Sequence, residues 1–268
     1  MNPIDSLFHR LRSEKRKAFI PFLTAGDPDL SFTAKLLPRV AEAGADLIEI
    51  GFPFSDPIAD GPVIQASYTR ALDAHLKLND IFKCLRTVTR SPGWKTPVVG
   101  MVSYSLVFRH GPEKFIEHAI DAGLSGAIVP DLTAEEADEF AALANAKDFK
   151  LILLVTPTTP PARAEKIVKL CTGFVYCVSV VGITGERDRL PDTLREQLRK
   201  LRTMTDLPLC VGFGISKPEQ MMELREIADG VIVGSALVRK LESTKRDPER
   251  AADSIVALVK ELAGALHG

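Results

Sequence analysis

The chain has 268 residues, 46% of them hydrophobic, with 34 basic and 35 acidic side chains and a net charge of −1. That balance describes a soluble globule large enough for one α/β barrel or two small domains, and it offers no basic run with interleaved aromatics to a nucleic acid. No apolar stretch approaches the ~18 residues of a membrane span, and the N-terminus lacks a signal-peptide core, so the chain reads as cytoplasmic and membrane-free.

Taken in chain order, Pro3–Glu14 reads as an amphipathic helix able to cap the bottom of a barrel. Apolar strand-like runs and helical patterns then alternate to the end. The strands fall at Ala18–Ala25, Asp46–Phe52, Pro97–Tyr104, Gly126–Leu132, Lys150–Pro157, Phe174–Val180, Pro208–Gly214 and Gly230–Leu237. Helical spacing marks Ser31–Ala43, Pro112–Ala122, Ala134–Ala146, Pro160–Cys171, Pro191–Met204 and Lys217–Ile227. The segment Val63–Thr89 is long enough for two helices broken near Leu78-Asn79, one more than a βα unit requires. The strands are continuous apolar runs more than alternations, which fits a parallel sheet covered by helices. Eight βα units in ~250 residues is the count of a (β/α)8 TIM barrel, here one domain over residues 1–268. A doubly wound open sheet is the rival, but the first strand ends in Thr24-Ala25-Gly26-Asp27-Pro28 rather than in a glycine-rich dinucleotide turn.

Asp46–Gln65, DLIEIGFPFSDPIADGPVIQ, carries the chemistry. Glu49 lies between Ile48 and Ile50, and period-two alternation points it away from both. An acid inside a covered strand is costly unless it is used or paired. Asp60 follows in a turn-rich loop, and two acids in unlike surroundings suit acid–base work with separated pKa values. The alternative is a structural Glu paired with a buried Lys or Arg.

Strand C-termini face the active site of a barrel, which collects Phe22, Glu49, Asp60, Asp131, Tyr176, Gly214 and Gly234-Ser235 at one mouth. The turns Gly212–Ser216 and Val233–Ala236 place small residues before helix starts in the two units that usually bind phosphate. Together they point to a phosphorylated ligand; singly, each is also consistent with a tight turn. The loop Val181–Leu190, with Gly182 and Gly185, fits a lid or a plain surface loop. No Lys stands at a strand C-terminus for a Schiff base. The five His and four Cys show no metal-ligand spacing, so no metal site is expected. Cys177 and Cys210 lie in apolar runs and read as core residues.

These stretches resemble one family, the α subunit of tryptophan synthase. The resemblance is carried by IPFLTAGDPD (20–29), IEIGFPFSDPIADGPVIQ (48–65), VPDL with EE (129–136), GITGERDRLP (182–191), GFGIS (212–216) and GSALV (234–238). It implies a lyase that splits indole-3-glycerol phosphate into indole and glyceraldehyde 3-phosphate by a retro-aldol reaction. On that resemblance Glu49 is the catalytic acid–base and Asp60 the second acid, pairing with the indole N–H. Gly185, Gly214, Gly234 and Ser235 fall on phosphate-binding positions. Phe22, Tyr176 and Phe213 line the substrate pocket, and Thr184 is the lid residue that touches Asp60. The resemblance also implies a β subunit in an α2β2 complex, which holds pyridoxal phosphate and takes up the indole, with no cofactor in this chain. Pro53, Asp56 and Pro57 match positions at that interface.

The match has departures. Where the family has Met-x-Tyr-x-Asn after the third strand, this chain reads Val102-Ser103-Tyr104-Ser105; Thr133 replaces a Pro, and Val181 a Thr or Ser. None touches Glu49, Asp60 or the phosphate turns. Two rival readings share the same residues: a stand-alone lyase, and a weakly catalytic protein kept to dock on and activate a partner.

Overall fold

The computed structural model describes residues 1–57, 60–179, 193–212, 214–242 and 247–268. Its parallel strands are β1 (Ala18–Thr24), β2 (Ile48–Gly51), β3 (Val98–Met101), β4 (Leu124–Ile128), β5 (Lys150–Ile152), β6 (Leu154–Val155), β7 (Val175–Val178), β8 (Leu209–Gly212) and β9 (Gly230–Val233). They follow one another in the order β5-β4-β3-β2-β1-β9-β8-β7-β6. The two ends of that order, β5 and β6, are consecutive in the chain and make up the single fifth strand expected from the sequence. Leu153 interrupts it: its N–H donates to Cys171 Sγ at 3.3 Å, and its carbonyl accepts from Tyr176 N at 3.2 Å. Nine segments therefore occupy eight positions and close the barrel. All seven residues of β1 are buried, as a strand covered by helices outside and side chains inside requires.

The helices are α1 (Pro3–Ser13), α2 (Leu30–Glu42), α3 (Pro62–Asp73), α4 (Leu78–Thr89), α5 (Tyr104–His110), α6 (Pro112–Asp121), α7 (Asp138–Ala146), α8 (Pro161–Leu170), α9 (Thr193–Arg202), α10 (Pro218–Arg225), α11 (Ser235–Leu241) and α12 (Pro248–His267). The expected N-terminal helix and the extra helix after the second strand are both present, the latter pair separated at Ala74–Lys77. The strands are all shorter than expected, in three clear cases because the apolar run continues past the last ladder bond into a turn or cap. Ser103 becomes the cap of α5, accepting from Ser105 N, and Gly234 becomes that of α11. Pro130-Asp131 lies beyond β4 in a turn closed by Leu132 N onto Val129 O at 3.3 Å. Helix α12 did not stand out in the sequence. Asp247 caps it through Arg250 N at 3.0 Å, and Ile255, Val259, Leu262 and Leu266 bury one face.

The N-terminal helix closes the barrel floor. Ile4, Leu7, Phe8 and Leu11 form its buried face, and Phe8 meets Phe174, just before β7, with ring centroids 5.9 Å apart. Asn2 anchors it twice over. Its Oδ1 accepts from Ile4 N at 2.9 Å, while its Nδ2 donates to Ser125 O at 2.9 Å and Asp148 O at 2.6 Å. Ser125 is the residue left over where the β3–β4 register slips, so Asn2 occupies a carbonyl that the ladder leaves unused. Replacing Asn2 by Ala removes the cap and leaves buried carbonyls unpaired, and urea unfolding is expected to show a loss of about 1–2 kcal/mol. An unchanged midpoint would mean that the apolar face alone seats the helix.

Candidate active site

Period-two alternation along β2 sends Ile48 and Ile50 toward the helices and Glu49 and Gly51 into the barrel. Glu49 is 0% exposed, and neither carboxylate oxygen has a hydrogen-bond partner among the described residues. Burial, and secondarily the nearby Asp60 carboxylate, push its pKa from 4.5 up to about 8. Among the described residues no Lys or Arg pairs with Glu49, as the structural alternative would require.

Asp60 closes the loop after β2. Its N–H donates to Pro57 O at 3.0 Å, and its carbonyl accepts from Gln65 Nε2 at 2.7 Å, so α3 ties down the loop that carries it. Burial raises its carboxyl from 3.8 to about 6. The two acids are thus held in unequal surroundings, the deeper one protonated and the shallower one ionised at neutral pH.

Small residues let aromatics crowd this mouth. Phe22 on β1 pairs in register with Glu49, and its ring fills the space over Gly51. The same residue lies against Gly234, where an added Cβ would be 3.6 Å from it. Phe22 therefore runs from β2 toward the turn after β9. Tyr176, from β7, packs its hydroxyl over Gly212 and feels the charges of Glu49 and Asp60 across the barrel. An open cleft beside Asp60 is lined by Phe52, Phe54, Tyr68, Met101, Ser103 and Asp131 among others.

Gly214 takes φ +76° after β8, a conformation that favours glycine. Gln220, which the sequence reading did not single out, holds that loop: its Oε1 accepts from Ser216 N at 2.9 Å and Lys217 N at 3.0 Å. Gly234 and Ser235 begin α11 next door, half-buried at the same end of neighbouring strands. Asp131 is exposed and bonded to Ser103 Oγ at 2.6 Å and Tyr104 N at 2.7 Å, so it anchors α5. In the second loop Asp56 is exposed, Pro57 half-buried and Pro53 buried, so Pro53 shapes the loop from beneath. Thr184, Gly185 and Phe213 lie outside the described residues, as does Val181. Tyr68 was also missed. The available signal was a tyrosine on the apolar face of the helix that follows the acidic loop.

The family model for the tryptophan synthase alpha chain matches residues 8–267. The chain belongs to that family. The alpha chain of Rhodopirellula baltica is 48% identical over 269 residues, spanning 100% of this chain and 97% of that one. That of Rippkaea orientalis is 44% identical, over 99% and 98%. The crystal structure of tryptophan synthase subunit alpha from Legionella pneumophila superposes with a TM-score of 0.89 at 34% identity, covering 99% of this chain and 98% of that one. Family membership makes the chain a lyase of tryptophan biosynthesis whose reaction is cleavage of indole-3-glycerol phosphate. Among the described residues no cluster of three or more His, Cys, Asp or Glu is placed to hold a metal ion, and no helix is long and apolar enough to cross a membrane.

The raised Glu49 pKa has a consequence for stability. A carboxyl whose folded pKa exceeds its unfolded value contributes fully below about 4.5, and that contribution is lost as pH rises toward about 8. Glu49→Gln removes the titration. In urea unfolding the variant should gain on the parent between about pH 5 and about pH 8, by on the order of 3–5 kcal/mol in all. A gap that stays constant with pH would contradict the buried, unpaired assignment.

Proposed function

We propose that Glu49 and Asp60 are the acid–base pair that cleaves indole-3-glycerol phosphate in this chain. The observation that carries the assignment is the Glu49 carboxyl, wholly buried, with both oxygens unpartnered, beside a second acid in an aromatic-lined mouth.

Protonated Glu49 delivers its proton to C3 of the indole ring. The ring becomes an indolenine with positive charge at nitrogen, which the Asp60 carboxylate stabilises through the N–H. Glu49, now a carboxylate, takes the proton from the side-chain hydroxyl next to C3. The O–H electrons form the aldehyde carbonyl, the C3–carbon bond breaks, and its electron pair returns to the ring and neutralises the nitrogen. Indole and glyceraldehyde 3-phosphate result, and Glu49 ends protonated as it began. Phe22 and Tyr176 flank the ring, with Phe213 and Thr184 assigned beside them by family resemblance. The phosphate is taken by Gly214, Gly234 and Ser235, joined by Gly185 on the same ground. Small residues there open backbone N–H groups to an anion.

The partner in this reading is a β subunit in an α2β2 complex, which holds pyridoxal phosphate and receives the indole. Solved relatives support it: a Mycobacterium tuberculosis tryptophan synthase matches with a TM-score of 0.89 at 31% identity. Asp56 and Pro57 in the second loop and Phe108 on α5, 68% exposed, form the docking side, with Pro53 setting the loop's course.

Indole release from indole-3-glycerol phosphate, measured alone and with the cognate β subunit, tests the assignment. Slow turnover that rises with the partner and disappears in Glu49→Gln is expected, with Asp60→Asn reduced by about two orders of magnitude. Fast turnover without a partner would favour a stand-alone lyase; ligand binding without indole would leave a docking protein.

The pH profile provides a separate check. The competent state has Asp60 ionised and Glu49 protonated, so kcat/KM should fall below about 6, where Asp60 gains a proton, and above about 8, where Glu49 loses one. A profile without the alkaline limb would exclude Glu49 as the initiating acid.

A further inference from the structure

Tyr68 stands in the active-site mouth without a part in the reaction as described. It sits on α3, 3% exposed, and the helix around it is clamped on both sides. Ser67 Oγ and Arg70 bind the same buried carboxylate, Asp27, from the loop after β1; Arg70 Nε donates to Oδ1 at 3.0 Å and Nη2 to Oδ2 at 2.6 Å. This clamp aims Tyr68 into the cleft that holds Asp60. Its hydroxyl occupies the space that a side chain at Gly51 would take, 2.8 Å from the position of a Cβ there. Gly51 is two residues beyond Glu49 on the same face of β2, so the hydroxyl lies one layer above the Glu49 carboxyl. It forms no hydrogen bond with another described residue and opens onto the cleft rather than into the core. Ser103, at the tyrosine position of the family's third-loop pattern, lines the same cleft and is turned onto Asp131.

We propose that Tyr68 is a positioning residue of the active site: in the substrate-filled cleft its hydroxyl donates to the Asp60 carboxylate and fixes the pair with the charge on Asp60 and the proton on Glu49. The inference rests on the acid–base reading of those two residues. Catalytic hydrogen bonds are often long in an empty site and tighten when the complex forms. Burial first, and then the Asp60 and Glu49 carboxylates through space, raise the pKa of the phenol and keep it a donor. Of the elements packed on α3, β1 carries no titratable side chain and α11 carries Arg239 and Lys240. On α3 itself Arg70 is committed to Asp27, and Tyr176 faces the same two carboxylates from β7.

Tyr68→Phe keeps the ring and removes the donor. Steady-state indole release against pH would be compared for the parent, Tyr68→Phe, Asp60→Asn and the double variant. Loss of a hydrogen bond to a charged group in the substrate complex should move the acidic limb of kcat up by about one pH unit and lower kcat about tenfold with little change in KM. In the Asp60→Asn background the same substitution should do nothing further. Superimposable profiles, or an equal effect without the Asp60 carboxylate, would overturn the proposal. If the Phe variant unfolds, 3-fluorotyrosine at position 68 decides: a stronger donor should lower the acidic limb, and an unmoved limb counts against Tyr68. Activity surviving in Glu49→Gln would remove the underlying acid–base pair. Its loss there, with Tyr68→Phe like the parent, would remove only the role of Tyr68.

Discussion

Desolvation of the Glu49 carboxyl is the constraint to which the rest of the mouth answers, because an unpartnered acid at 0% exposure survives only if it stays protonated. Protonation at neutral pH gives the site an acid, and it leaves the single negative charge to Asp60, which is closer to the cleft. A lysine or a hydrogen-bond donor on Glu49 would have stabilised its charged form and removed the acid that the proposed reaction requires. The barrel accepts the cost at one position and recovers it through the apolar packing of every strand around it.

Keeping that acid dry depends on glycines. Gly51 and Gly212 leave room that aromatic side chains enter: the Phe22 ring and the Tyr68 hydroxyl over Gly51, and Tyr176 over Gly212. The space is shaped by what is missing at these positions as much as by the rings. A methyl group at Gly51 or Gly212 would overlap the aromatic now seated there.

The loops that finish the site are irregular, and each is held by a polar side chain reaching back from a helix. Gln65 binds the Asp60 loop, Gln220 the turn at Gly214, and Asp27 joins the first loop to Ser67 and Arg70. Asp131 does the same for α5 through Ser103. Hydrogen bonds of this kind contribute modestly to stability, but they fix direction, and direction is what positions an acid to within hydrogen-bonding reach of a substrate.

The sequence by itself determined the barrel, because eight apolar runs interleaved with helical periodicity admit few other closed arrangements, and it determined Glu49, whose place between Ile48 and Ile50 forces it inward. The turn-rich acidic loop marked Asp60, and small residues before two helix starts marked the turns at Gly214 and Gly234; the family resemblance then supplied their roles. Strand ends were less legible at Val129–Leu132 and Ser103, since an apolar residue reads the same whether it pairs in a ladder or packs in a turn. The break at Leu153, the burial of Pro53 and the pairing of Ser103 with Asp131 left no mark in local pattern. Tertiary structure alone decided that Glu49 has no partner, that Tyr68 stands above it, and that Asp27 holds the helix in between. The contacts behind these facts join residues 17 to 43 positions apart, and local periodicity carries no information about such contacts.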